Sequence, residues 1–445
     1  MSPPRFLLLC LLGAGLGCVQ GAKMPQPLHV FRYPGALRLS EDGRTLFVVG
    51  TNFDLAWEAG VLQAIDLEAL DAAIGPGDPE GAEPLHIETV PLRDAVTIDS
   101  FGGEIAAAPV EGGLRLFVPH RAAGTVSVVD ANSAGALFCH GGDADDCRTS
   151  AVVLQTPAGE PLDDPFAAVA AGDAVYVATL SEQSVDPAVP EKGRQSHLVR
   201  IPVEAPEAAV AEGLGAIRLR DLRLGDDGRI VGAGPLRSAS ITTAALLRFE
   251  PQSFGAGLGR EVFSLYGFVA ATDARAVLPR PGGEIWTLVS NPAALVVSSS
   301  DGAPLDETDV VVATALPGSP SRVAAIEASS ERTLAVVTSS ASDSLCFVDV
   351  RRGEVVGLLD GSGCTDPREP CPSASRRDGR RDPATDVGRQ PFDLVVTPRV
   401  EGGYRIWVGG FGEATLRVVD LVDPARPWDA RVVAVVGTPE APEDG

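Results

Sequence analysis

Aromatic side chains are scarce in this chain, with 15 Phe, 4 Tyr and 4 Trp in 445 residues, and histidine is scarcer still with five. No two histidines stand at the H-x-x-x-H spacing that puts a pair of ligands on one helix face, which removes the commonest helical zinc site. No G-x-S-x-G elbow occurs, so the nucleophile of an α/β-hydrolase is missing. No C-x-x-C-H run offers a covalent haem attachment. Beyond the amino terminus no apolar stretch reaches about 18 residues, the length that signals a membrane-crossing helix. Basic charge is also short: 36 Lys and Arg face 60 Asp and Glu, for a net charge of −24. Such an acidic surface repels phosphate backbones and argues against a nucleic-acid partner. What is plentiful is Val, Ala, Gly and Leu, which suits short strands and tight turns. A chain this long exceeds a single ordinary core, so it is either two domains or one modular ring.

The amino terminus reads as a targeting segment outside the fold. Arg5 supplies a positive start and Phe6–Leu16 an apolar stretch too short to span a bilayer. Gly17-Cys18 follows, and this junction resembles the lipobox of bacterial lipoproteins. The resemblance implies a signal peptide over 1–17, diacylation of Cys18, and a lipid-anchored tether over 18–28. Here Gly15 stands where that family usually has Leu, Val or Ile, and ordinary cleavage after Val19-Gln20-Gly21 is the competing reading. Either way the chain is expected to be exported, with the lipid as its sole membrane contact.

Seven cysteines suit an oxidising compartment. Cys10 leaves with the signal. Cys139 and Cys147 flank HGGDADD, and Cys364 and Cys371 flank TDPREP, so each pair is expected to close a short loop as a disulfide. Neither pair has the tight C-x2–4-C spacing of zinc ligands. Cys346, within an alternating strand, is expected to be a buried free thiol.

One pattern recurs through the chain: an inner strand, a Gly-marked hairpin, an apolar strand, a polar loop, and a strand ending in Asp. It is clear from Pro34, Phe101, Pro320 and Pro391, and its third strands end at Asp66, Asp130, Asp349 and Asp420. Fainter copies run through Pro165–Pro202, Ile217–Glu250 and Arg275–Val297. Seven such units predict an all-β protein, a single seven-bladed β-propeller of four-stranded antiparallel blades over 29–437. The last strand, Ala430–Val436, has no blade of its own in this reading and would close the ring against the first blade beside His29–Arg32. An Arg-rich loop over 365–390, carrying Arg376, Arg377, Arg380 and Arg381, and a disordered tail over 438–445 complete the organisation.

The segments Phe47–Asn52 (FVVGTN) and Thr125–Asp130 (TVSVVD) resemble the YVTN-type propeller repeats of bacterial and archaeal surface proteins. With the lipobox-like start, the whole chain resembles bacterial propeller lipoproteins. That resemblance implies a monomeric propeller in the cell envelope, outer membrane or periplasmic face, acting as a binding or scaffold module. Its partner would be an envelope protein or polymer.

The loops before each inner strand would ring one mouth of the central channel. There Glu104, Asp164, Asp273 and Asp393 are candidates to converge with Arg322. Converging carboxylates would suit Ca²⁺, as in lactonase-like propellers whose metal polarises an ester carbonyl. A calcium-dependent lactonase or hydrolase is therefore the alternative function, and calcium the one cofactor weighed; no catalytic residue is assigned. The competing reading has Pro and Phe packing between blades while the carboxylates cap strand entries. The strand-ending aspartates read as strand stops. His120 and His140 read as exposed loop residues.

Overall fold

A computed structural model describes residues 24–75, 83–142, 145–181, 183–184, 194–238, 241–255, 260–265, 269–299, 310–369 and 381–438. Within them the recurring pattern becomes seven antiparallel sheets, each of four strands or more, arranged in a closed ring. The blades start with the inner strands Pro34–Leu39, Ala106–Val110, Pro165–Ala171, Asp221–Leu224, Asp273–Pro279, Pro320–Ser329 and Pro391–Pro398. These strands number the blades 1 to 7. Hairpins such as those at Gly112 (φ 84°) and Gly402 (φ 94°) then take the left-handed backbone conformation that glycine tolerates.

Each second strand is almost wholly buried because both of its faces meet a neighbouring blade. This is where the few aromatics go: Phe47, Phe117, Tyr176, Trp286 and Trp407 are among the largest fully buried side chains. Seven separate hydrophobic clusters result, one at each blade boundary, including one that joins blade 7 to blade 1 through Trp407, Val418, Leu46 and Val48. A ring built this way has no exposed sheet edge along its core.

Five of the seven inner strands share a second feature. Pairing with the second strand slips by one residue at Pro34/Ala36, Pro165/Ala167, Ala274/Ala276, Pro320/Arg322 and Pro391/Asp393. In four of the five the slip begins at a proline, which lacks the amide that a regular ladder would use, and a bulge re-aims the residues that follow.

Ring closure differs from the sequence expectation. Arg431–Val436 is the outer strand of blade 7, paired antiparallel with Thr415–Leu421, and it is not part of the four-stranded sheet of blade 1. The sequence reading counted three strands per unit and so left this fourth strand over. Blade 1 instead reaches back to blade 7. Its third strand runs into a helix, Leu67–Ile74, capped by Asp66 accepting the Ala69 amide at 3.1 Å and ended at Gly75. The following strand Leu85–Ile87 adds in parallel to Arg431–Val436, with the Gly437 amide donating to the Ile87 carbonyl at 2.9 Å. Arg405 of blade 7 donates to Asp71 of that helix at 2.7 Å.

Candidate functional site at the channel mouth

Arg322 stands just past the bulge that opens blade 6. Its guanidinium reaches Asp393 of blade 7 (Nε to Oδ1, 2.8 Å), Glu104 at the entry to blade 2 (Nη2 to Oε1, 2.6 Å) and Asp221 of blade 4 (Nη1 to Oδ1, 3.2 Å). One side chain that touches three other blades of a ring must lie on its channel. Arg223 adds contacts to Asp221 at 3.1 Å and to Glu104 at 3.5 Å. Arg322, Glu104, Asp221 and Asp393 are 7, 4, 0 and 5% exposed, so this is a buried hub.

The carboxylates also staple blades in sequence. The Asp393 Oδ2 accepts the Leu37 amide of blade 1 at 2.8 Å, and the Asp221 Oδ2 accepts the Val277 amide of blade 5 at 2.8 Å. The Glu104 Oε2 accepts the Ala168 amide of blade 3 at 3.4 Å. Arg38 also acts electrostatically on Glu104 and Asp393, so three carboxylates face three guanidiniums and the hub is balanced. Burial pushes Glu104 up to about 7, with Asp221 adding to the rise against the pull of Arg322 and Arg223. Arg322 is held well above its usual value by Asp393, Glu104 and Asp221, although its burial works in the opposite direction.

The five mouth candidates therefore divide. Glu104, Arg322 and Asp393 come together; Asp164 and Asp273 do not join them. Asp164 accepts from Arg121 Nε at 2.6 Å. Asp273 lies between two arginines, 2.7 Å from Arg220 Nε and 2.7 Å from Arg275 Nε. Among the described residues no group of three or more His, Cys, Asp or Glu is placed to hold a metal ion. The carboxylates that a calcium would need already surround Arg322, so this donor set does not fit one.

Above the hub the mouth opens in two adjoining cavities. The deeper, about 170 Å³, is lined by Arg121, Arg220, Arg275 and Arg322 with Ser319 and Ser321, and the hub carboxylate Glu104 reaches its base. The outer, about 440 Å³, is lined by Phe53, Phe101, Phe166, Phe392 and Phe411, and shares Arg121, Phe166 and Phe392 with the first. Phe53 meets Phe101 and Phe411 with ring centres 5.4 Å apart in both pairs, and Tyr33 meets Phe411 at 5.3 Å. Arg121 lies over the Phe166 ring at 5.7 Å. Tyr33, Phe101, Asp164 and Gln390, which open blades 1, 2, 3 and 7, all have φ between 49° and 58°, an uncommon conformation for such residues.

Away from the mouth, Cys139 and Cys147 form the expected disulfide. Cys346 is the buried free thiol, and burial pushes it up to about 12. Cys364 is disulfide-bonded; Cys18, Cys371 and residues 370–380 of the Arg-rich loop lie outside the described residues. His120 corrects the sequence reading. It ends the strand Gly113–His120, fully buried, with Nε2 2.9 Å from Ser127 Oγ, and burial drops it to about 3. His140 is half-buried against Asp130 at 3.1 Å. Three of the four strand-ending aspartates pair with an arginine at the start of the second strand, Asp130 with Arg115, Asp349 with Arg332 and Asp420 with Arg405, while Asp66 takes Arg93 of the fourth strand at 3.1 Å. No helix among the described residues is long and apolar enough to cross a membrane.

Fold and site together define a closed seven-bladed β-propeller with an arginine-centred channel. Among solved structures, hydrazine synthase from Kuenenia stuttgartiensis is 12% identical over 92% of this chain and 100% of that one, with a TM-score of 0.55. Virginiamycin B lyase from Staphylococcus aureus is 12% identical over 87% and 95%, with a TM-score of 0.49. AztD from Citrobacter koseri is 13% identical over 92% and 91%, with a TM-score of 0.44. At 12% identity the likeness to hydrazine synthase is one of fold. No family model and no curated protein matches the chain.

Proposed function

We propose that this chain is an exported, lipid-anchored binding propeller of the bacterial cell envelope, of the YVTN-repeat kind, which engages its envelope partner, a protein or polymer, at the mouth face. The observation that carries this reading is the Arg322 hub: the carboxylates of the channel are engaged with arginine and with backbone amides, which favours a rigid binding disc over a calcium-dependent lactonase. The mouth cavity supports it. A chain with few aromatics gathers five phenylalanines around one concave surface, at the volume of an ordinary ligand pocket. The lipobox-like start and the disulfide-closed loop support export.

The test is retention from an envelope extract by the immobilised full chain, against a Phe53→Ser/Phe411→Ser variant, with lactone and ester hydrolysis assayed in calcium. Components held by the wild type and lost by the variant, with hydrolysis at background, are the expected outcome. Calcium-dependent turnover, or equal retention by both chains, would overturn the reading.

A further inference from the structure

The floor of the mouth carries a local charge imbalance. Arg220 and Arg275 share the single carboxylate of Asp273, each through its Nε at 2.7 Å. Both line the deeper cavity, and neither has another ion-pair partner among the described residues. Burial holds Arg275 below its usual value, and Arg220's positive charge adds to that depression while Asp273 opposes it. The other arginines there are matched: Arg121 by Asp164, and Arg322 by the hub. One positive charge is thus unmatched at the base of a cavity, on a protein whose net charge is −24.

The walls above that floor are apolar and aromatic. Phe166 and Phe392 border both cavities, so the arginine floor is continuous with the phenylalanine walls. Phe53 is 49% exposed and touches Phe101 and Phe411, so it belongs to a contiguous apolar patch and does not stand singly. A guanidinium pair favours a carboxylate through charge-assisted hydrogen bonds, and flat rings favour a flat apolar body.

We infer that the mouth recognises an organic monocarboxylate carried on a planar apolar body, with the carboxylate between Arg220 and Arg275 and the body among the phenylalanines. A single negative charge balances the single excess positive one. A cation is repelled by the floor, and a neutral ring compound gains only the walls. The inference rests on the reading of the mouth face as the binding surface. The same chemical group can arrive as a free compound or as the end of an envelope polymer.

The test uses the purified full chain and matched probes, naphthalene-2-carboxylate and naphthalene-2-carboxamide, in isothermal titration. The expected result is carboxylate binding at least tenfold tighter than amide, weakening with salt. Arg220→Gln and Arg275→Gln should each weaken carboxylate binding far more than amide binding and so remove most of that preference, and Phe411→Ala should weaken both probes. Because the wild-type comparison needs no variant, a folding defect in either arginine mutant leaves the test intact. Equal affinity for the two probes overturns the inference and leaves the mouth as the binding surface. Binding of neither probe overturns both. Competition by the low-mass filtrate of an envelope extract assigns the ligand to a free compound, and competition by the retained fraction to a polymer end. Competition by neither fraction counts against the inference.

Discussion

The Asp393 carboxylate accepts the Leu37 amide at 2.8 Å although the two residues lie 356 positions apart. The same carboxylate takes Arg322 Nε on its other oxygen. One side chain therefore fastens the last blade to the first and to the hub in the channel. Ring closure and the filling of the channel are one structural event.

Arg322 should be the most costly of the hub residues to remove. Arg322→Met leaves Glu104, Asp221 and Asp393 buried without their main cation, and breaking a buried pair this way costs about 3–5 kcal/mol. Urea unfolding of the two full chains measures it. A loss within about 0.5 kcal/mol, typical of a surface change, would mean the hub does not hold the ring.

Two buried groups should bend the pH–stability profile in opposite directions. An acid whose folded pKa is raised contributes stability at low pH and loses it as pH rises through the folded value. Glu104, raised from 4.5 to about 7, therefore weakens the fold as pH climbs through that window. His120, lowered from 6.5 to about 3, contributes above 6.5 and loses that contribution as pH falls toward 3. Glu104→Gln should flatten the decline on the neutral side, and His120→Gln the decline on the acid side. Unchanged slopes in urea midpoints against pH would contradict the assignment.

The recurrent Arg–Asp pair should matter in proportion to its burial. Arg405 and Asp420 have side chains 5 and 4% exposed, whereas Arg44 and Glu68 are 63 and 71% exposed at 3.5 Å. Double-mutant cycles should give more than about 2 kcal/mol of coupling for the first pair and less than about 0.5 kcal/mol for the second. Equal couplings would refute the argument from burial.

The cysteines give a chemical check. Replacing Cys139 and Cys147 by serine opens a loop with a sequence separation of 8 and should cost about 2.5 kcal/mol on the chain-entropy estimate. Cys346 should resist a thiol reagent in the folded chain and react once urea unfolds it, because burial holds its thiol up near 12. Rapid labelling of Cys346 in the native protein would contradict its place in the core between blades 5 and 6.

Anchoring is tested at Cys18. Cys18→Ala should remove the site of lipid attachment, and globomycin should stop processing so that the unprocessed chain accumulates. Unaltered processing and fractionation would mean ordinary cleavage near Gly21.

The sequence announced the blades because alternation, hairpin glycines and strand lengths are local signals. It also held more than was read from it. Pro34-Gly35-Ala36, Pro165-Phe166-Ala167, Pro320-Ser321-Arg322 and Pro391-Phe392-Asp393 occupy one register position beside the bulge. Alanine in two copies against Arg322 and Asp393 in the others marks the two as special. Asp221 escaped because blade 4 lacks that proline. The partners of these charges are set by ring curvature, which brings together residues hundreds apart and leaves no local trace. Asp164 and Asp273 were grouped with the hub because mouth position was legible while depth along the channel was not. Phe53 and Phe411 went unread because they sit in loops after second strands, taken as polar connections. The helix Leu67–Ile74 had its signals in plain view, Asp66 before it and Gly75 after it.

The central claim is that arginine, and not calcium, is the cation of this channel. The most direct measurement is the melting temperature of the full chain in millimolar calcium and in excess chelator. The account predicts the same Tm in both. A ligand that binds only the native state stabilises it by about 2.7 kcal/mol at a hundredfold excess over its Kd, so a calcium-dependent rise of several degrees would contradict it.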